Sequence, residues 1–395
     1  MTTLIQAAQR TDRVEEYYFS RKLAEVRSLD KPERRIINLG IGSPDLAPAP
    51  QTISALTDSA LQPGHHGYQS YKGIPELRQA ISGFYQRTYG AGLDPESMIL
   101  PLMGSKEGIM HITLAFVNEG ETVLIPDPGY PTYASVANLA GARLQTYRLD
   151  ADRDWAVDLD DLRRRDLSGV KLMWVNYPHM PTGTQATSGQ LAELVALARE
   201  RNFLIVNDNP YSLILNDRPA SILAVPGASE VALELNSLSK SHNMAGWRIG
   251  WVAGRKEYID LVLRVKSNMD SGMFLGLQHA AVAALQAGPE WFNRQNAIYQ
   301  ERRMEARRVL ALLDCSWSDN QSGLFLWAKA PDSEPDVEQW LDRILYATGV
   351  FLTPGFIFGE AGRRYVRISL CSPVEKLREA GERISGWLNQ TPDAR

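Results

Sequence analysis

The sequence predicts an α/β protein, with a large domain on a mostly parallel sheet covered by helices on both faces and a smaller α+β domain formed by the N- and C-terminal segments. Three observations lead there. From about residue 51, helical stretches alternate with short apolar runs, the pattern of parallel strands joined by crossover helices. After about residue 286 that alternation gives way to one long helical pattern and three further apolar runs. At 395 residues and 44% hydrophobic content, the chain exceeds what one core serves and suits two. The expected division is 1–49, an N-terminal segment joining the small domain, then 50–286, the large domain, and 287–395, the small C-terminal domain.

In chain order, residues 13–29 carry Val14, Tyr17, Tyr18, Leu23 and Val26 at roughly helical spacing, so an amphipathic helix is expected. The stretch INLGIGSPDLAPAPQ is dense in Gly and Pro and reads as an irregular connection. Its G-x-G is not a dinucleotide fingerprint, because no helix pattern follows directly. Helices are expected over 75–88, 106–117 and 190–201, and strands at TVLIPD (122), KLMWVN (171), FLIVND (203), VALELNS (231) and RIGWVAG (248). Such sheets bind ligands at the carboxyl ends of their strands, where Asp127, Asn176, Asp208 and Lys240 all fall, so one cleft is expected to collect them. In the small domain a helix is expected over 290–313, followed by LFLWAKA (324), VFLT (350) and YVRISL (365). A last helix is announced by Ser372 as N-cap, Pro373 at the first helical position and Glu375 three residues after the cap.

Composition narrows the function. A formal net charge of −4 with both signs interspersed offers no footprint for nucleic acid or an anionic membrane, so small molecules are the expected partners. Cys315 and Cys371 are the only cysteines, far apart in the sequence, which supports neither a disulfide framework nor a zinc motif. The six histidines form no metal-ligand spacing, and no metal is expected. The first residues, MTTLIQAAQRTDRVEE, lack a signal-peptide apolar core, and no run reaches the ~18 apolar residues of a membrane span, so a cytoplasmic protein is expected.

The chemistry centres on SLSKSHNMAGWRIGW, residues 237–251, where an apolar run delivers Lys240 flanked by Ser237 and Ser239, with Arg248 shortly after. Pyridoxal phosphate needs an amine for its aldehyde, hydroxyls and a guanidinium for its phosphate, and a carboxylate for its ring nitrogen. An isolated S-x-S-K is more often a surface turn, so the other motifs decide. Gly104-Ser105-Lys106-Glu107-Gly108 opens a helix, whose backbone N–H groups with the Ser105 hydroxyl make either an anion site or an ordinary cap. Tyr130, in DPGYPTY, offers an aromatic face at a strand end. Asp208-Asn209-Pro210-Tyr211 offers a carboxylate and a phenol, and Arg367 is a lone arginine in an apolar strand, suited to a carboxylate.

Taken in this order, the motifs resemble the fold type I, class I/II aminotransferases from about residue 13 to 388. The resemblance rests on IGSPD, Tyr68 through Gly73-Ile74-Pro75-Glu76-Leu77-Arg78, GSKEG, PGYP, DNPY and SLSK with Arg248, and it is nearest to alanine- and diaminopimelate-type members. It implies that Lys240 carries the cofactor's imine and shuttles the proton, that Asp208 pairs with the pyridinium, Tyr211 with O3′, and that Tyr130 stacks on the ring. Ser105, the Lys106 backbone, Ser237, Ser239 and Arg248 would hold the phosphate, joined by Tyr68 from the partner subunit of a homodimer with shared active sites. Gly42 and Arg367 would bind the substrate carboxylate, with Tyr17 over the substrate.

The implied reaction is ping-pong transamination between an α-amino acid and a 2-oxo acid, commonly 2-oxoglutarate. Two alternatives remain open: a lyase or cyclase on the same fold, and a non-catalytic cofactor-binding regulator. Known regulators carry a DNA-binding domain ahead of this fold, for which the residues before 36 leave no room. One departure is clear. Where the family reads N-P-T-G, this chain has NYPHMPTG, with Met180 in place of an asparagine that donates to O3′. Methionine cannot donate, so a raised imine pKa is expected unless His179 or Asn176 substitutes. The position of a second, aspartate-binding arginine falls on Leu263 beside Arg264, which disfavours a strict aspartate enzyme.

Overall fold

The computed structural model describes residues 5–14 and 18–390. Tyr17 therefore lies outside the described residues. The large sheet has seven strands, β1 (Ile99–Leu102), β2 (Thr122–Asp127), β3 (Arg143–Arg148), β4 (Val170–Asn176), β5 (Leu204–Asp208), β6 (Ala232–Ser237) and β7 (Gly250–Gly254), in the spatial order β1-β7-β6-β5-β4-β2-β3. Only β7 runs against its two neighbours, and the β6-β5-β4-β2-β3 pairs are all parallel.

Alternation along the strands splits the core on the sheet into two layers, and a further buried cluster packs α3 (Pro75–Tyr89) and α8 (Leu275–Leu285) beside β1 and β7, with α2 (Pro50–Ala60) against α8. In β4, Leu172 and Trp174 face a layer completed by α4 (Ser105–Phe116), α5 (Pro131–Leu139) and α7 (Lys256–Lys266). Met173 and Val175 face the opposite way, toward α6 (Ser188–Arg201). That helix is closed at both ends by its own sequence: Thr187 and Gln190 form a reciprocal capping box, and Asn202 ends it in the left-handed conformation.

Two strands of the large sheet escape the sequence patterns, and both lie at its edges. β3 is largely exposed, so RLQTYR shows no apolar run, and β1 contains Pro101, which an edge strand tolerates because one side of its backbone needs no partner.

The second, smaller sheet holds β8 (Ser316–Trp317), β9 (Phe325–Lys329), β10 (Thr353–Pro354) and β11 (Tyr365–Ser369), antiparallel in the order β10-β11-β9-β8. Helices α9 (Pro289–Leu312), α10 (Val337–Thr348) and α11 (Val374–Gln390) pack on it and extend the second core layer. The N-terminal segment joins this part of the molecule: Ile37–Asn38 pairs in parallel with Val350–Phe351. Helix α1 (Tyr18–Leu29) seats Val26 against Leu345 and Phe351, and its buried Lys22 bridges Glu25 and Asp342. Among the described residues no helix is long and apolar enough to cross a membrane.

Candidate active site

The carboxyl ends of β4, β5 and β6 open into a cavity of about 670 Å³ whose far wall comes from α1, the 40–42 turn and the small sheet. At its floor, β6 ends at Ser237 and a single helical turn, Leu238–Ser241, turns Lys240 inward. Its Nζ donates to the Gly42 carbonyl at 2.6 Å. Burial pushes this ammonium below the ordinary lysine range, and the Arg367 and Arg248 charges push the same way.

Asp208, the last residue of β5, is paired in register with Asn176 of β4. Its Oδ2 accepts from the Tyr133 hydroxyl at 2.8 Å, while Oδ1 is buried with no hydrogen-bond partner among the described residues. Burial lifts this carboxyl to about 6, against the pull of Tyr133 and Lys240. Tyr133 is itself fixed by stacking on Trp174, centroids 4.9 Å apart and planes 5° from parallel. Tyr130 meets Tyr133 edge-on, and Tyr211 meets Phe325 edge-on.

Beside Lys240 lies a cradle suited to an anion. The start of α4 presents Ser105, Lys106 and the backbone N–H groups of its first turn, facing Ser237, Ser239 and Arg248. Gly104, which caps α4, has φ +90, and a Cβ there would sit 2.2 Å from Arg248 Nη2, so the guanidinium fills the place of a side chain.

Arg367, in the middle of β11, is 4% exposed. Its Nη2 donates to the Gly40 carbonyl at 2.7 Å and its Nη1 reaches Met180 Sδ at 3.4 Å. The guanidinium carbon lies 4.0 Å from the Phe325 ring centroid and 4.6 Å from that of Phe358. Phe325 also explains Gly42: a Cβ there would be 2.2 Å from the ring's Cζ.

Lys240, Ser105, Lys106, Tyr130, Asp208, Tyr211, Ser237, Ser239, Arg248, Gly42 and Arg367 thus all line one cavity. Tyr68 does not: it is 93% exposed and outside the cavity of its own chain. Nor does Asp127 join the cleft as expected, because its Oδ1 turns away to accept from the Ala361 backbone N–H at 3.1 Å. Met180 keeps the register read from the sequence and lines the cavity. His179 does not replace it, being buried with Nδ1 on the Thr182 hydroxyl, and the Asn176 amide is spent on the Asp208 backbone carbonyl. The sequence reading missed Tyr133, although it lies three residues past Tyr130, and missed Phe325 and Phe358, which no local signal marks.

These groups match the needs of pyridoxal phosphate. A buried carboxylate oxygen without a partner among the described residues suits a ring N–H, the cradle at Gly104 suits a phosphate, and a lysine of depressed basicity suits an aldehyde. The family model for aminotransferase class I and II matches residues 34–384. The LL-diaminopimelate aminotransferase of Aquifex aeolicus is 40% identical over 352 residues, 88% of this chain and 90% of that relative. The enzyme of the same name from Dehalococcoides mccartyi is 36% identical over 388 residues, 97% and 99% of the two chains. Among solved structures, substrate-bound BacF from Bacillus subtilis matches with a TM-score of 0.91 at 35% identity, covering 97% of this chain and 98% of its own. The chain belongs to the class I and II aminotransferases, and its reaction is pyridoxal 5′-phosphate-dependent transamination.

Proposed function

We propose that the enzyme takes the amino group from an α-amino acid with a bulky apolar or aromatic side chain and passes it to a 2-oxo acid, working as a cytoplasmic homodimer. The observation that carries the substrate class is the wall around Arg367: Phe19, Leu23, Ile41, Met180, Phe325 and Phe358. The charged residues lining the cavity, among those described, are Lys106, Asp208, Lys240, Arg248 and Arg367. With Arg367 holding the α-carboxylate and the others grouped at the cofactor end, none is left for a charge at the far end of a side chain.

Each group has a role that its surroundings support. Bound pyridoxal phosphate supplies an aldehyde that accepts the amino group and a ring that takes up the electron pair left when Cα loses its proton. Lys240 Nζ, whose basicity burial lowers, would remove that proton and return it. Asp208 Oδ1 would hold the ring nitrogen's proton, with Tyr133 keeping the carboxylate in place. Tyr211 would donate to the ring hydroxyl oxygen and Tyr130 would cover the ring. Ser105, Ser237, Ser239, Arg248 and the Lys106 backbone N–H hold the phosphate. Arg367, stacked on two phenylalanines, presents its fork to the substrate carboxylate beside Gly42. This reading assigns Tyr68, 93% exposed in one chain, to the site of the partner subunit, and gives Tyr17, outside the described residues, the role over the substrate that the resemblance implies. The two cysteines, both free and buried, suit a reducing compartment. The domain division 1–49, 50–286 and 287–395 is retained as part of this reading.

A second reading, LL-diaminopimelate as donor, is favoured by the names of the relatives at 36–40% identity. It requires polar groups for the distal ammonium and carboxylate beyond the charged lining among the described residues. A half-reaction screen separates the two: holoenzyme is mixed with each of the twenty amino acids and LL-diaminopimelate, and the absorbance of bound cofactor is followed. Phenylalanine, tyrosine, leucine and methionine are expected to react fastest. A diaminopimelate rate tenfold above all of them overturns the apolar assignment.

A further inference from the structure

Behind the phosphate cradle lies a second cluster of ionisable side chains that the transamination site does not use. Glu107 and His111 stand one turn apart on α4, and Asp270 belongs to the loop after α7. One ligand atom from each falls within 4.8 Å of the other two. His111 is 3% exposed, and neither ring nitrogen has a hydrogen-bond partner among the described residues. Its Nε2 stands 3.8 Å from Glu107 Oε1, beyond hydrogen-bond reach. Asp270 Oδ2 is buried and equally without a hydrogen-bond partner. Buried polar atoms are ordinarily satisfied, so unpaired atoms from two elements converging on one point call for a common occupant.

The surrounding bonds hold these side chains as ligands are held. Asp270 Oδ1 accepts from Lys266 Nζ at 2.8 Å and from the Gly272 backbone N–H at 2.9 Å, which fixes the carboxylate and leaves Oδ2 for the centre. Glu107 Oε1 accepts from the Met103 backbone N–H at 2.6 Å. Two carboxylates against one ammonium leave the cluster net negative around the imidazole.

We propose that Glu107, His111 and Asp270 form a binding site for a divalent transition-metal ion. One imidazole with two carboxylates suits Zn²⁺ or Mn²⁺, whereas Mg²⁺ and Ca²⁺ prefer all-oxygen shells. Ligand bonds of about 2.0–2.2 Å hold tetrahedral ligand atoms roughly 3.4 Å apart, so the set draws together on binding. Glu107, with its side chain 25% exposed, supplies both the movement and the entry route. Lys266, 2% exposed, repels the ion as well as holding Asp270, so binding is weaker than at a structural zinc site. The site departs from the expectation of no metal because Asp270 reaches α4 only through the fold. Occupancy ties α4, which presents Ser105 and Lys106, to the Asp270 loop and, through the Lys266 bond to the Tyr71 carbonyl at 3.2 Å, to the segment bearing Tyr68.

The test uses holoenzyme freed of metal by chelator dialysis, titrated calorimetrically with ZnCl₂ and with MnCl₂, alongside His111→Ala and Glu107→Gln. One ion per chain is expected for at least one of the two salts, with affinity at least tenfold weaker in both variants and an ion-dependent rise in the unfolding midpoint only in the unsubstituted enzyme. Should His111→Ala fail to fold, Glu107→Gln at the partly exposed position decides alone. No binding of either ion, as for a site that holds only water, overturns the proposal. So does binding that the variants leave unchanged, as for ions on surface histidines.

Discussion

The Tyr133 hydroxyl donates to Asp208 Oδ2 at 2.8 Å, while the other oxygen of the same carboxylate has no partner among the described residues. One half of the carboxylate is anchored by the protein and the other half faces the cavity. In a buried site this arrangement is costly until a cation arrives.

Burial raises Asp208 from the ordinary 3.8 to about 6. A raised acid stabilises the fold where it keeps its proton, below the unfolded value, and that contribution is lost as pH rises through the folded value. A shift of this size is worth about 3 kcal/mol. In urea unfolding of apoprotein, the unsubstituted chain is expected to lose about that much stability relative to Asp208→Asn between about pH 4 and pH 7. Parallel pH profiles for the two proteins refute it.

Removing the anchor should loosen the cofactor. Tyr133→Phe takes away a hydrogen bond to a charged acceptor, worth about 1.5–3 kcal/mol, and disfavours the ionised carboxylate. Titrating apoprotein with pyridoxal phosphate should show a Kd roughly 10- to 100-fold higher. An unchanged Kd means that Asp208 is held by something else.

Met180 touches Arg367 through a sulfur that donates nothing. In the proposed site, Met180→Asn would add a donor within reach of the cofactor's ring hydroxyl, and the pH midpoint of the bound cofactor's absorbance change is expected to fall by about one to two units. A midpoint that stays or rises rejects the role given to this position.

Arg367 stacks on Phe325 and Phe358, and lysine can reproduce neither the stacking nor the fork. Arg367→Lys should raise KM for the amino donor roughly 10- to 100-fold, with cofactor Kd unchanged. A fall in cofactor affinity instead would move Arg367 out of the substrate's half of the cavity.

Tyr68 tests the shared site. Tyr68→Ala should weaken cofactor binding, and subunit exchange with Lys240→Ala should restore tight sites, because each hybrid dimer then holds one site with both residues intact. No recovery after exchange, or a monomer in sedimentation, removes Tyr68 from the partner's site.

Much of the site is legible in one dimension because strands announce their own ends. The apolar runs stop at Asn176, Asp208 and Ser237, and a parallel sheet brings such ends to one edge, so Asp208 and Lys240 are legible from the sequence. Asp127 stands at the right strand end, but its carboxylate is taken by the Ala361 backbone. At β1 and β3 an edge position removes the apolar signal.

By itself the sequence determined the chemical inventory and its order: the lysine, the carboxylate, the hydroxyls and the arginines, each placed by local periodicity and turn residues that act over a few positions. Tertiary structure alone decided what each group touches. Tyr133 under Asp208, the phenylalanines on Arg367 and Asp270 beside His111 join residues far apart in the chain. Such pairings follow from close packing of distant segments, where space and unpaired polar atoms, rather than any nearby pattern, select the neighbour.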